Sequence, residues 1–347
     1  MKVETLRYDK LGGGRVRCGI CPHRCVIAPG KYGVCRTRYN DDGSLYSMVY
    51  GEITSMAIDP IEKKPLYHFF PGEETLSIST FGCSFRCPWC QNYSISQAGV
   101  GDVATDSFKP EEVVERAKRE KNRIISYTYN EPLIWFEFVL DTSKLAKKEN
   151  MYNVLVSNGY VTLETLGELL PHLDAANVDV KSINPDFYRK YCAAKVEPVL
   201  EVCKEMVDHG VHVETTNLII PGLNDSSEDI ERLCDWHLRD LGPDTPLHFS
   251  RFFPMYKMSH LPPTPVKTVE KAVQTAREKG ILYVYGGNIP GSKTDSTYCP
   301  RCGRTVVERF GFSISHWGLD YEMRCKDCGE KIPIVAKGHR TKADGER

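Results

Sequence analysis

The sequence predicts an α/β fold organised around a partial (β/α)6-type barrel. Between residue 75 and about residue 285, short β-rich runs alternate with longer amphipathic segments, as in a parallel sheet built from βα units. Six or seven such units are too few for a closed eight-stranded barrel, and they suit an open one. Separate cysteine groups before and after this region predict a small Cys-rich N-terminal module and a C-terminal mini-domain.

The candidate strands are short runs rich in β-branched and aromatic residues. Because the active sites of such barrels lie at the carboxyl ends of the strands, motifs that directly follow a strand are candidate functional residues. In chain order the predicted strands are Leu76–Thr80, Arg123–Thr128, Asn153–Ser157, Ala176–Val180, His212–Ile219, Leu247–Phe252 and Leu282–Tyr285.

Helix candidates fill the intervals between these strands. Pro110 suits a first-turn position, Gly280 suits a helix end, and Ser226 precedes acidic residues as an N-cap residue does. The predicted helices are Pro110–Lys121, Leu133–Asn150, Leu163–Leu170, Pro198–His209, Ser227–Leu238 and Val266–Lys279.

Four regions follow from these patterns. Residues 1–74 are the predicted N-terminal Cys-rich module, 75–290 the partial barrel, and 291–336 a zinc-ribbon-like domain with four cysteines. Residues 337–347 are charged and poor in apolar side chains, which predicts a flexible tail.

Composition excludes several classes of function. A net charge of -1 gives no electrostatic case for a nucleic-acid partner. No stretch approaches the roughly 18 apolar residues of a membrane span, and the N-terminus lacks the apolar core of a secretory signal. We therefore expect a cytoplasmic protein with no membrane partner. The chain has 14 cysteines. In a reducing compartment, those that lie two or three residues apart are expected to bind metal and not to form disulfides.

The central cysteine group is Cys83, Cys87 and Cys90, directly after the first predicted strand. A [4Fe-4S] cluster normally takes four thiolate ligands, so three would leave one iron open for a small molecule. The alternative from spacing alone is a zinc site completed by a distant histidine.

The Cys-x3-Cys-x2-Cys spacing, with Trp89 before the last cysteine, resembles the signature of the radical S-adenosylmethionine (SAM) superfamily. The resemblance implies a radical SAM barrel in which Cys83, Cys87 and Cys90 are the catalytic cluster ligands. It also implies that SAM chelates the open iron through its amino and carboxylate groups. One-electron reduction would then release a 5'-deoxyadenosyl radical that abstracts hydrogen from a substrate.

Later segments carry the same resemblance in order. Glu131-Pro132 is retained from a Gly-Gly-Glu-Pro segment that binds the SAM amino group, with Tyr129 and Asn130 in place of the glycines. Residues 157–160 resemble a Thr-Asn-Gly segment of glycyl-radical-activating enzymes, and residues 179–181 their Asp-x-Lys segment near the SAM carboxylate. The implied cofactor-binding residues are Trp89, Asn130, Glu131, Ser157, Asn158, Asp179 and Lys181.

The whole chain resembles the AmmeMemoRadiSam group, which is described as pyruvate formate-lyase-activating-enzyme-like. Residues 18–25, 33–35, 59–68 and the central cysteine loop through Asn92 carry this likeness. It implies an activating-enzyme-like oxidoreductase whose substrate is a protein or peptide, with a small molecule left open. It also implies a low-potential electron donor such as ferredoxin or flavodoxin.

Two further groups contain four cysteines each. Cys299, Cys302, Cys325 and Cys328 form two Cys-x2-Cys-Gly knuckles, which indicate zinc, with rubredoxin-type iron or an auxiliary iron–sulfur cluster as alternatives. The N-terminal four are less regularly spaced, and both a structural zinc and a second cluster remain open for them. These four are Cys18, Cys21, Cys25 and Cys35.

Two other functions compete with the enzyme. The cysteine groups of a non-catalytic zinc-rich interaction protein would only stabilise the fold, and such a protein would contain no iron. A cluster-bearing electron carrier would contain iron but form no 5'-deoxyadenosine.

Overall fold

Short antiparallel strands make up the N-terminal part of the protein. The computed structural model describes residues 1–289 and 291–336, and the predicted tail at 337–347 lies outside them. Two three-stranded sheets form here, in the orders β1-β6-β5 and β2-β3-β4. The strands are β1 (Val3–Glu4), β2 (Tyr8–Lys10), β3 (Val16–Cys18), β4 (Val26–Ile27), β5 (Arg38–Asp41), β6 (Ser44–Ser47) and β7 (Glu52–Ile53).

An eight-stranded sheet follows and forms the barrel. Its strands are β8 (Ser55–Pro60), β9 (Glu74–Ser79), β11 (Ile124–Tyr127), β12 (Tyr152–Ser157), β13 (Ala175–Asp179), β14 (His212–Ile219), β15 (Leu247–Arg251) and β16 (Val284–Gly287). Their spatial order is β16-β15-β14-β13-β12-β11-β9-β8. All pairs from β9 to β16 are parallel, whereas β8 is antiparallel to β9. Since the edge strands β8 and β16 are not hydrogen-bonded to each other, the barrel is open, as predicted.

Helices connect the parallel strands. They are α1 (Tyr93–Ser96), α2 (Pro110–Arg119), α3 (Phe136–Lys148), α4 (Leu163–Leu169), α5 (Pro185–Phe187), α6 (Glu197–Asp208), α7 (Ser227–Asp240) and α8 (Val266–Lys279). A π-helical turn, Tyr188–Cys192, separates α5 from α6, and a short strand, β10 (Asp106–Ser107), pairs with β7.

The predicted elements agree closely with these bounds. The ends of β14 and α8 are the predicted ones, and the other predicted strands differ by one or two residues at their ends. The helix predicted to begin at Leu133 starts later, because a 3₁₀ turn over Pro132–Trp135 precedes α3. In that turn the Glu131 carboxylate accepts the Leu133 amide at 2.8 Å.

The C-terminal segment packs against the amino ends of the barrel strands. It forms a sheet of β17 (Thr297–Tyr298), β18 (Thr305–Phe310) and β19 (Ser313–Trp317). The Phe70 amide donates to the Val335 carbonyl at 2.7 Å, and Phe70 shares a buried cluster with residues at the starts of β11 and β13. The buried Arg309 guanidinium donates to the Tyr67 carbonyl at 2.7 Å. This sheet therefore closes the end of the barrel opposite the loops that follow the strands.

No helix within the described ranges is both long enough and apolar enough to cross a membrane.

Candidate active site

The central cysteines lie on the loop that follows β9, at the carboxyl end of the sheet. Gly82 begins this loop with a φ of 87°, a conformation that favours glycine. A Cβ at this position would lie 2.7 Å from the Cys35 carbonyl oxygen and 2.6 Å from the Thr37 methyl group. The loop can therefore approach the N-terminal module only because residue 82 has no side chain.

Each of the three thiols has a separate set of neighbours. Cys83 Sγ accepts the Phe85 amide at 3.3 Å, and Cys90 Sγ lies 3.2 Å from Ser96 Oγ. Cys87 Sγ lies 3.9 Å from Cys192 Sγ. Burial raises the pKa of Cys83 and of Cys90. Coordination to a cationic metal centre deprotonates such thiols, so this donor set suits metal binding.

The spacing of these sulfurs bears on what they bind. A single ion draws its ligand atoms together, whereas the thiolates of a [4Fe-4S] cluster sit on different irons. The three sulfurs do not all lie within 4.8 Å of one another. The three sulfurs therefore do not form the compact set that a single zinc ion would hold.

Glu131 is a buried carboxylate that links two strand ends. It follows β11, and both of its oxygens accept hydrogen bonds from the end of β12: Ser157 Oγ at 2.8 Å and the Asn158 amide at 2.8 Å. Burial is the main reason that the pKa of Glu131 rises to about 7. No Lys, Arg or His side chain of the described residues forms an ion pair with it, although the charge of Lys181 acts against burial and favours the ionised carboxylate.

Asn158 connects this carboxylate to the cysteine loop. Its Nδ2 donates to Ser84 Oγ at 3.1 Å and lies 3.7 Å from Cys83 Sγ. Its Oδ1 accepts the Tyr160 amide at 2.9 Å. Asn158 is thus held between Glu131 and the loop segment that contains Cys83.

Asn130 and Trp89 hold the loop in other ways. Asn130 Nδ2 donates to the Gly82 carbonyl at 2.9 Å, and its Oδ1 accepts the Thr80 amide at 3.2 Å. Trp89 is buried, and its ring centre lies 5.5 Å from that of Phe187. Both side chains are committed to contacts within the protein.

Asp179 and Lys181 meet at the end of β13. The Lys181 ammonium lies 2.5 Å from the Asp179 carboxylate. Burial opposes the charged form of Lys181, but the charge of Asp179 and its hydrogen bond outweigh burial and raise the pKa of Lys181. A stable positive charge therefore stands beside the central thiols.

The chain is similar to known proteins along most of its length. The family model described as the radical SAM superfamily matches residues 77–237, which include the three central cysteines, Glu131 and Lys181. The chain belongs to the radical SAM superfamily. An uncharacterized protein of Methanocaldococcus jannaschii is 48% identical over 333 residues, covering 96% of this chain and 99% of that protein.

Two further proteins resemble this radical SAM protein over part of its length. The pyruvate formate-lyase 1-activating enzyme of Escherichia coli is 26% identical over 223 residues, covering 60% of this chain and 88% of that enzyme. The crystal structure of a radical SAM methyltransferase from Sphaerobacter thermophilus superposes with a TM-score of 0.52 at 18% identity. That match covers 76% of this chain and 78% of the other, and it shows a shared fold. The radical SAM family implies a [4Fe-4S] cluster and SAM as cofactors, and the protein is activating-enzyme-like.

The C-terminal cysteines of this radical SAM protein come together tightly. Two sulfur pairs, Cys299 with Cys328 and Cys302 with Cys325, are 3.5 and 3.7 Å apart. Within residues 1–289 and 291–336, these four form the one group of metal-type ligands whose atoms all lie within 4.8 Å of one another. Tetrahedral zinc with Zn–S bonds of about 2.3 Å needs sulfurs about 3.8 Å apart.

Several contacts at the candidate radical SAM site were not predicted from the sequence. Arg86 donates to the Cys83 carbonyl at 3.0 Å and also to the Val34 carbonyl. His23 Nε2 lies 2.9 Å from the Ser84 carbonyl oxygen. Cys192 is buried and lies against Cys87. These contacts join distant segments, so no local pattern identifies them.

A buried polar cluster also extends inward from the radical SAM site. The Tyr129 hydroxyl, just after β11, donates to Asp59, which also accepts the Lys64 ammonium at 2.7 Å. Burial lowers the pKa of Lys64 to about 8. The likeness to related chains over residues 59–68 was the only sequence signal for this cluster.

Proposed function

We propose that this protein is a radical SAM enzyme whose cluster is held by Cys83, Cys87 and Cys90 and whose substrate is a protein or peptide. The observation that carries the proposal is the pairing of three separated thiols with a buried carboxylate, Glu131, that forms no ion pair among the described residues. Three thiols leave one iron without a protein ligand, and the carboxylate supplies a site for the cationic part of SAM.

When bound, the cluster and SAM supply one-electron reduction and a 5'-deoxyadenosyl radical that abstracts hydrogen. The chain's own residues bind and orient. Glu131 would accept the SAM ammonium, and Ser157 with the Asn158 amide would hold the carboxylate in position. Lys181 would favour the SAM carboxylate, with Asp179 fixing the ammonium of the lysine.

Asn130 and Trp89 would contribute to SAM binding by holding the loop. The Asn130 amide ties Thr80 to Gly82 on either side of the loop's first turn. Trp89 packs on Phe187 in the segment that follows β13. Loss of either contact would loosen the spacing of the three cysteines.

We propose zinc for the C-terminal four cysteines, with a structural role. Support comes from sulfur separations of 3.5 and 3.7 Å, which suit one tetrahedral ion. The sheet that carries them covers the amino ends of the barrel strands, away from the cysteine loop. Zinc here would stabilise a small unit with little core of its own.

A protein or peptide substrate is proposed because the relative in Escherichia coli bears the name of an activating enzyme. A low-potential carrier such as ferredoxin or flavodoxin would supply the electron that the cluster needs.

The test is product formation after anaerobic reconstitution with iron and sulfide. Protein is incubated with dithionite and SAM, and 5'-deoxyadenosine and methionine are quantified by chromatography. The wild type should form both in equal amounts, and Cys83→Ala/Cys87→Ala/Cys90→Ala should form neither. Cys203→Ala, which removes a buried thiol of α6, is the matched control and should retain activity. A fully reconstituted wild type that forms no product would favour the electron-carrier function.

A further inference from the structure

The four N-terminal cysteines converge although 17 positions separate the first from the last. The Cys18 amide donates to the Cys25 carbonyl at 3.0 Å, which closes a loop that contains Cys21. The Arg38 carbonyl accepts the Gly33 amide at 2.9 Å, which turns the chain so that Cys35 returns to the same place. Burial raises the pKa of Cys21, and the nearby Cys18, Cys35 and Cys25 thiols raise it further.

These four sulfurs are spread more widely than the C-terminal four. No three of them lie within 4.8 Å of one another, whereas all four C-terminal sulfurs do. One chain thus contains two groups of four cysteines with different spacing. The tight group suits one ion, and the wide group suits ligands on separate irons of a cluster.

Two sulfurs of the N-terminal group also accept hydrogen bonds. The Thr37 hydroxyl donates to Cys35 Sγ at 3.1 Å, and the Val34 amide donates to Cys25 Sγ at 3.5 Å. Donors to the ligand sulfurs stabilise the reduced form of an iron–sulfur cluster and set its potential.

The group also contacts the central cysteine loop directly. The Cys35 carbonyl is so close to Gly82 that a Cβ there would lie 2.7 Å from it. Arg86 bridges the same two segments, with donors to the Val34 and Cys83 carbonyls. A backbone contact therefore joins Cys35 of the N-terminal group to Gly82, the residue before Cys83 of the central group.

We propose that Cys18, Cys21, Cys25 and Cys35 hold a second iron–sulfur cluster, which passes electrons to the central cluster. One electron moves from a reduced one-electron carrier protein to this cluster, and the carrier is oxidised. The same electron then reduces the central cluster, and the second cluster returns to its oxidised state. The relay role rests on the function proposed above, whereas cluster binding does not.

The surface around this group fits an acidic carrier. Residues 10–40 contain no Asp or Glu, although the whole chain has slightly more acidic than basic residues. The exposed large apolar side chains next to the cysteines are Val26, Tyr32 and Val34. Basic charge around an apolar centre favours fast, transient docking of an acidic partner. The exposed basic residues are Lys10, Arg15, Arg17, Lys31 and Arg36, together with Arg24, which is ion-paired with Glu164.

Cluster binding is tested in the variant Cys83→Ala/Cys87→Ala/Cys90→Ala, which lacks the central ligands. After anaerobic reconstitution it should retain about half of the wild-type iron and sulfide, roughly four atoms of each per chain. Dithionite should produce an iron–sulfur electron paramagnetic resonance signal. Adding Cys25→Ser and Cys35→Ser should abolish the signal, whereas adding Cys302→Ser should not. Zinc without iron in the first variant would overturn the proposal, whatever the SAM chemistry of the wild type.

The relay is tested with charge reversals that leave every cysteine in place. Arg17→Glu/Lys31→Glu should lower the rate of 5'-deoxyadenosine formation at least tenfold when a small acidic flavoprotein in its hydroquinone state supplies electrons. With dithionite the rate should be unchanged, because that reductant needs no docking surface. Equal rates with the flavoprotein would overturn the relay. Absence of product from the wild type with both reductants would instead contradict the proposed function.

Discussion

Glu131 combines burial with a lack of any cationic side chain, among the described residues, that pairs with it directly. Its hydrogen bonds come from two backbone amides and one hydroxyl, which partly offset the cost of burying a charge. Such a site is stabilised when a cationic ligand binds. Under the proposed function, this carboxylate links SAM affinity to the protonation of one residue.

Glu131→Gln keeps the size of the side chain and removes its charge. We expect SAM to bind at least tenfold more weakly, because a buried charge pair with the ammonium is lost. Equilibrium dialysis of reconstituted protein with labelled SAM measures this. The matched control is Glu149→Gln at an exposed position, which should bind like the wild type. Unchanged affinity in Glu131→Gln would remove this residue from the SAM site.

The pH dependence of SAM binding follows from the same residue. With a pKa of about 7, the free carboxyl becomes protonated as the pH falls below 7 and no longer attracts the ammonium. SAM affinity in the wild type should therefore decline between about pH 8 and pH 6. In Glu131→Gln it should be flat over that range. Parallel profiles for the two proteins would assign the dependence to another group.

At the residue scale, the spacing of the cysteines indicated the candidate site. Contacts between residues far apart in the chain left no signal in the sequence. Cys83, Cys87 and Cys90 were identifiable because metal ligands recur at short intervals along the chain. Arg86 gave no such signal, because its partner Val34 is 52 residues away. The contact between Cys87 and Cys192 spans 105 residues, and a lone cysteine in a helical segment indicates only a buried apolar side chain.

At the scale of elements, α7 contains a buried histidine that is held neutral. His237 Nε2 donates to the Thr245 carbonyl at 2.9 Å, and Thr215 Oγ1 lies 3.3 Å from Nδ1. Burial lowers the pKa of His237 to about 4. The unfolded chain binds a proton at this residue below about pH 6.5, and the folded chain does not until about pH 4.

His237 should therefore make the protein less stable as the pH falls from 6.5 to 4, by on the order of 3 kcal/mol in total. His237→Gln should be less stable at pH 7, because a buried hydrogen bond is disturbed, but its stability should vary less with pH. Thermal unfolding between pH 8 and about pH 5 measures both effects. The exposed His260→Gln is the control. An equally steep pH dependence in His237→Gln would contradict the pKa assignment.

Elements with a clear sequence period were predicted well, and irregular ones were not. A β-rich run predicted β14 to the residue, and an amphipathic segment that ends before Gly280 predicted α8 to the residue. Strand β8 was not predicted, because Asp59 and Pro60 interrupt its pattern and it lies at the sheet edge. The π-helical turn Tyr188–Cys192 depends on packing against the barrel, which no local pattern records.

At the scale of the whole molecule, a buried ion pair fastens the N-terminal module to the barrel. Arg38 Nη1 lies 2.6 Å from Glu137 Oε1 of α3, and its Nη2 donates to the Ile134 carbonyl at 2.9 Å. The Leu6 amide also donates to Glu137 at 3.0 Å. The pair is nearly inaccessible to solvent, with 2% and 9% of the two side chains exposed.

Arg38→Met should destabilise the folded protein by about 3–5 kcal/mol, because Glu137 is left as an unpaired buried charge. Arg38→Met/Glu137→Leu should recover a large part of that loss, since both charges are then removed. Urea unfolding monitored by tryptophan fluorescence compares the two variants. If the double variant is no more stable than Arg38→Met, the unpaired charge is not the cause.

The N-terminal and C-terminal groups of four cysteines lie at opposite ends of the barrel. Substitutions in one group should therefore not disturb the other. Cys302→Ser/Cys328→Ser should remove zinc and lower the thermal unfolding temperature, because structural zinc contributes folding free energy. SAM cleavage with dithionite should stay within about twofold of the wild type at a temperature where the variant is folded. Metal analysis and product chromatography measure these quantities. Loss of cleavage in a folded variant would assign the C-terminal group a catalytic role.

The most direct test of the central claim is whether the SAM amino nitrogen binds iron. Pulsed electron–nuclear double resonance is recorded on the reduced protein with SAM labelled with nitrogen-15 at the amino group. A nitrogen hyperfine coupling is expected in the wild type and not in Cys83→Ala/Cys87→Ala/Cys90→Ala. No coupling in a reconstituted, SAM-saturated wild type would contradict an open iron held by three cysteines.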